Sequence, residues 1–162
     1  MAVLVTGNHG CWVIPRPRLN EKYIPDFLIA SQTSAGVTWW LVELESPTQP
    51  LHMKNRHLAK GPRQGIAQIE DWREHIRGNQ ANINKLKSDG GLGFPGLRSD
   101  ARGLVVVGRG ALTSHVDPAR ASESAQKNIE IRTYDWLTRA HRPRAAIGAL
   151  EAEVVLDFDD LL

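Results

Sequence analysis

The chain has 162 residues, 41% of them hydrophobic and 23% charged, a length and balance that suit one soluble-type domain with a real core. No run of about 18 apolar residues occurs, so no transmembrane helix is expected, and the opening Met-Ala-Val-Leu-Val-Thr-Gly lacks the basic start and long apolar segment of a secretory signal. The single cysteine, Cys11, excludes an internal disulfide and fits a reducing, cytoplasmic setting.

In chain order, His9 to Ile14 reads as a short strand stopped by Pro15-Arg16-Pro17. Asp26 to Ala30 reads as a second strand, and Ser31 to Gly36 as the turn after it. Val37 to Glu45, rich in β-branched and aromatic residues, is the best strand, ended by Pro47 and Pro50. Trp39 and Trp40 fall on its opposite faces, and core packing suits both. His52 to Gly61 is a polar, basic loop. Its two histidines are read as loop or phosphate contacts, because zinc would need further ligands and Cys11 is remote. Pro62 suits an early helical position. Ile66, Ile69, Trp72 and Ile76 recur at spacings of three and four, which predicts an amphipathic helix continuing to about Lys87.

Asp89 to Gly96 is glycine-rich and breaks that helix. It has no lysine-serine ending of a phosphate-binding loop and is expected to be flexible. Leu104-Val105-Val106-Val107-Gly108 is a continuous apolar run, as in a strand buried on both faces. Pro118 to Lys127 reads as a helix, 128–133 as a strand, and Tyr134 to Ala140 as a last helix that packs Tyr134 and Trp136 onto the sheet. Strand, strand, strand, helix, strand, helix, strand, helix predicts an α/β domain, a mixed sheet flanked by helices. That domain is assigned to residues 1–150. Residues 151–162 form an acidic tail with five Asp and Glu and no Lys or Arg, so the body keeps 20 basic residues against 13 acids, a net of +7. A basic body fits a polyanionic partner, although a solvated surface gives the same count.

One feature of the best strand concerns chemistry. Side chains alternate with period two, so Glu43 and Glu45 share a face while Val42 and Leu44 point to the other. Two carboxylates on one face repel unless a cation neutralises them or one takes a proton. Asp26 heads the neighbouring strand. Pairing about a Ser31–Gly36 turn sets it opposite Thr38 to Leu41 or beyond, and a bulge or slip would bring it beside Glu43. Three hard oxygen donors gathered there suit magnesium or manganese, not zinc. A merely solvated strand end is the competing reading.

The segments Ile-Pro-Asp-Phe-Leu-Ile-Ala, Trp-Trp-Leu-Val-Glu-Leu-Glu-Ser-Pro and Gly-Ile-Ala-Gln-Ile-Glu-Asp-Trp-Arg-Glu-His-Ile follow in this order. Together with Gly-Leu-Val-Val-Val-Gly-Arg-Gly and Ile-Glu-Ile-Arg-Thr-Tyr-Asp-Trp-Leu-Thr-Arg-Ala, they resemble the PD-(D/E)XK nuclease superfamily. More closely, they resemble the catalytic domain of the Shedu anti-phage defence proteins, over residues 10–141. The resemblance implies a restriction-endonuclease-like fold and a homo-oligomeric, metal-dependent DNA endonuclease of bacterial anti-phage defence. In that pattern Asp26 and Glu43 coordinate Mg2+ or Mn2+, and the Leu44 carbonyl completes the shell. Gln68, one turn before Trp72, orients the phosphate or a side chain, while Lys54, Arg56, Lys60 and Arg63 contact the DNA backbone.

The chain departs from the pattern twice. Glu45 stands at the usual lysine position, where it can act as a base or third acid but not as a cation; Lys54 or Lys60 is the nearest substitute. The core helix that opens the superfamily fold has no counterpart, since only eight residues precede His9, and a partner copy would then cover exposed apolar sheet. These departures support a second reading, a catalytically inactive DNA-binding or assembly domain of the same fold.

Overall fold

The computed structural model describes residues 2–6, 9–110 and 117–140. The acidic tail, 151–162, and the basic cluster His141, Arg142 and Arg144 lie outside the described residues. The elements are β1 (Ala2–Thr6), β2 (His9–Pro15), β3 (Phe27–Thr33), β4 (Gly36–Leu44), α1 (Lys60–Gly78), α2 (Gln80–Asn84), a 3-10 turn (Lys87–Asp89), β5 (Arg102–Val106), α3 (Pro118–Lys127), β6 (Ile129–Arg132) and α4 (Tyr134–Ala140). No helix among the described residues is long and apolar enough to cross a membrane.

The six strands lie in sequence order in one mixed sheet. β1 to β4 form an antiparallel meander. α1 and α3 then carry the chain back, so that β4, β5 and β6 run parallel. The fold is thus the mixed α/β sheet expected, with two differences at the front. The segment ahead of β2, for which the sequence predicts no element, forms a further strand, β1. In addition, Ser31 to Thr33 belong to β3, which narrows the hairpin loop to Ser34 and Ala35. Thr33 makes this short turn possible: its hydroxyl accepts from the Ala35 N–H at 3.2 Å, and Gly36 takes φ of 122°.

The stripe foreseen on α1 is buried against one sheet face, where Ile66, Ile69, Trp72 and Ile76 meet Leu28, Leu41 and Val105. Gly65 sets how close the helix comes: a Cβ there would lie 2.6 Å from a Val105 methyl. On the opposite face Trp40, Val42, Leu104 and Val106 form a smaller core with Tyr134 and Trp136 packed on it. Trp39 and Trp40 are both core residues, on opposite faces.

α1 stops at Gly78 and does not run to Lys87. The Asn79 side chain donates to the His75 carbonyl at 2.9 Å, and its N–H turns back to Ile76. Beyond the break, the stretch 89–96, expected to be a flexible loop, is built in. Gly91, Leu92, Gly93 and Phe94 donate their N–H groups to the carbonyls of Leu86, Asn82, Lys85 and Ile83, and Phe94 is buried. A Cβ on Gly91 would sit 2.3 Å from the Lys85 carbonyl oxygen, so the glycines serve close packing.

Arg73 fastens α1 to the far ends of β5 and β6. Its guanidinium donates to the carbonyls of Ala101 (2.6 Å), Lys127 (2.6 Å) and Asn128 (2.9 Å). Removing it leaves the partly buried carbonyls of Ala101 and Lys127 unsatisfied at once, while Asn128 keeps the Gly103 N–H. Arg73→Ala is expected to cost about 3 kcal/mol of stability, a fall of about 6–12 °C in melting temperature by calorimetry. A change under about 2 °C would show that water replaces these bonds.

Candidate active site

The hairpin register decides what Asp26 meets. Phe27 pairs with Val42 and Leu28 with Leu41, so one step further Asp26 stands directly across from Glu43. No bulge or slip is needed, because the strands extend through Thr33. The Asp26 carbonyl accepts from Arg16 N at 2.8 Å, so its backbone faces β2. Opposite β4 the Asp26–Glu43 pair is therefore of the narrow kind, with Cα atoms about 4.5 Å apart. Both side chains lie on the α1 face, in line with buried Leu28 and Leu41.

Pro25 explains the rest of the Pro-Asp pair. By the same register it lies opposite Leu44, where an ordinary residue would exchange two backbone hydrogen bonds. Proline has no N–H to give to the Leu44 carbonyl. The Leu44 N–H is instead taken by Asp26 Oδ2 at 2.8 Å. Because the N–H and C=O of a strand residue lie on the same edge, the Leu44 carbonyl is presented beside Asp26 without a donor from β3.

Glu43 is the one buried charged side chain among the described residues, at 8% exposure. Its carboxyl is pushed up to about 8, first by burial and then by the Asp26 and Glu45 charges. Interaction with the Gln68 side chain, on the exposed side of α1, pulls the other way. Glu45 is also raised, by burial and then by Asp26.

The expected convergence of three acids is not what the structure has. Among the described residues no three His, Cys, Asp or Glu side chains are close enough to hold a metal ion by themselves. Glu45 lies two residues beyond Glu43, about 6–7 Å along the strand, and its stem packs by Gly65 of α1. Asp26 sits across from Glu43, not from Glu45. The donors present are therefore two adjacent carboxyls and one free carbonyl. These are hard oxygens, and no ion pair among the described residues neutralises them; they suit a magnesium-type ion rather than zinc.

Lys54, Arg56, Lys60 and Arg63 are all exposed, between the end of β4 and the first turn of α1. No ion pair joins any of them to Asp26, Glu43 or Glu45, so neither Lys54 nor Lys60 fills the lysine position. His52 is committed elsewhere, its Nε2 lying 2.8 Å from Asp117 at the start of α3.

Tyr134 belongs to the site and was read from sequence only as a packing residue. Its hydroxyl donates to the Glu45 carbonyl at 2.8 Å, around the end of the sheet from the opposite face. Burial raises its ionisation, and so do Asp26, Glu45 and Glu43 in that order. The sequence signals were its place right after β6, at the same end of the sheet as Glu43, and the family-like segment that contains it. Tyr134→Phe is expected to lower stability by about 1 kcal/mol, a fall of about 2–4 °C in melting temperature by calorimetry. An unchanged melting temperature would show that water replaces this bond.

No curated protein matches the chain. Among solved structures, SfsA of Pyrococcus furiosus in complex with Ca2+ aligns at 18% identity and a TM-score of 0.33, over 76% of this chain. This chain spans about half of that one, 47% of its length. A family model described as Shedu protein SduA, C-terminal, matches residues 4–138, and the chain with its paired Asp26 and Glu43 belongs to that family.

Proposed function

We propose that this domain is a divalent-metal-dependent DNA nuclease acting in anti-phage defence. The observation that carries the reading is the Asp26–Glu43 pair, beside the free Leu44 carbonyl and near the carboxyl end of a strand in the parallel half of the sheet, a usual place for α/β active sites. Asp26, Glu43 and the Leu44 carbonyl would hold Mg2+ or Mn2+. Such an ion, when bound, polarises a phosphate oxygen and makes a hydroxide nucleophile available near neutral pH.

The remaining roles fall to the chain's own residues. Leu44 N–H fixes the rotamer of Asp26 through Oδ2. Gln68 keeps Glu43 pointed across the cleft by its hydrogen bond. Glu45, whose carboxyl is raised by burial and then by the Asp26 charge, is the acid placed to accept a proton from water. Lys54, Arg56, Lys60 and Arg63 offer four exposed cations to a phosphate backbone, whose binding weakens with salt.

The second reading, an inactive DNA-binding or assembly domain of the same fold, is supported by Glu45 at the lysine position, with no cation paired to the two acids among the described residues. One assay separates the two. Plasmid and linear DNA are incubated with Mg2+ or Mn2+ and either the natural chain or Glu43→Ala. Cleavage lost on substitution supports the nuclease. Salt-sensitive DNA retention with no cleavage in either metal supports the second reading.

A further inference from the structure

A second concavity lies at the hairpin end of the sheet, on the α1 face but beyond the reach of α1. It is a groove of about 850 Å³ between β2, β3 and β4 on one side and the 87–95 segment on the other. Its floor is apolar, from Trp12, Trp39 and Phe94, and its rim carries Arg16, Arg18 and Lys87. These three cations are exposed, and none has an ion-pair partner among the described residues. A groove of this size with aromatic walls and three free positive charges has the make-up of a binding site for something apolar and anionic.

The chain itself contains such a segment. In Glu153-Val154-Val155-Leu156-Asp157-Phe158-Asp159 the alternation has period two. Extended, it sets Val154, Leu156 and Phe158 on one side and Glu153, Val155, Asp157 and Asp159 on the other. That is an apolar edge for the floor and an edge of three acids and one valine for the rim. The tail lies beyond the family-matched residues, carries five acids and has no basic residue to cancel them. The described chain ends at Ala140. The ten residues 141–150 span up to about 33–36 Å when extended, about twice the radius of gyration of about 15 Å expected for a chain of this length.

We infer that residues 153–159 dock in this groove of their own chain, apolar side chains on Trp12, Trp39 and Phe94 and carboxylates on Arg16, Arg18 and Lys87. The groove is distinct from the Asp26–Glu43 site and its occupation needs no metal or DNA.

Lys87 makes this testable in the full chain, because a carbodiimide joins a lysine to a carboxylate only when the two touch. The chain has six lysines, at 22, 54, 60, 85, 87 and 127, which serve as internal controls. Dilute protein, an equal mixture of unlabelled and 15N-labelled chains, is cross-linked and read by mass spectrometry. The expected result is a link within one chain from Lys87 to the Asp157–Asp160 peptide, about 10-fold over links from that peptide to Lys54, Lys60 or Lys127. The double change Leu156→Ser and Phe158→Ser keeps every acid and should reduce the Lys87 link by at least about fivefold. Links spread evenly over the lysines, links insensitive to the serine changes, or no Lys87 link would each overturn the inference. Links found only between labelled and unlabelled chains would overturn it in favour of a second copy's tail.

Discussion

Replacing Glu43 with glutamine is expected to raise the melting temperature of the metal-free protein by about 5–10 °C near pH 8.5, and to leave it nearly unchanged near pH 4.5. The sign follows from the raised ionisation of Glu43. Below its ordinary value of 4.5 the carboxyl is protonated in both folded and unfolded chains, and nothing is lost. As pH climbs from 4.5 towards about 8, the unfolded chain gives up the proton while the folded one keeps it, so stability falls throughout that window. Full ionisation over this range corresponds to about 5 kcal/mol at about 1.4 kcal/mol per tenfold change, and relaxation around a cleft-facing carboxylate leaves about half. Glutamine keeps the hydrogen bond to Gln68 and carries no charge, so the variant escapes the penalty. Scanning calorimetry of both proteins in EDTA at the two pH values checks this. Equal melting temperatures at high pH would mean that Glu43 ionises freely and that its neighbours do not press on it.

Asp26→Asn is expected to lower metal-dependent DNA cleavage by at least about 100-fold while leaving salt-sensitive DNA retention intact. Asparagine retains an oxygen for the Leu44 N–H, so the strand end keeps its shape. What it lacks is the negative charge that a hard cation needs beside Glu43. The same change removes the second-largest influence on Glu43, whose carboxyl should move back down towards its usual range. Cleavage at the natural rate by this variant would remove Asp26 from the chemistry.

Much of this site was legible because its parts are local. The alternation in Val37–Glu45 fixed the faces of Trp39, Trp40 and Glu43, and the three-four spacing from Ile66 to Trp72 fixed the helix that brings Gln68 over them. The register was not legible, because Ser31, Gln32 and Thr33 are turn-like in composition but pair with Thr38, Val37 and Gly36. A register shift of two residues decides whether Asp26 meets Leu41 or Glu43. The separation of Glu45 from the pair was hidden for a related reason: sharing a strand face does not mean sharing a site when the third acid stands across the gap. Tyr134 was missed as a site residue because its contact spans 89 positions in sequence and passes around the sheet edge. β1 lay in a segment read only for targeting signals.

The metal question is met most directly by titrating Mn2+ into the full chain near pH 8 and counting bound ions by calorimetry, for the natural protein, Asp26→Ala and Glu43→Ala. One ion per chain in the natural protein and none at that site in either variant is the predicted result. Equal binding in all three, or none in the natural protein, would contradict the proposal that these two carboxylates form a cation site.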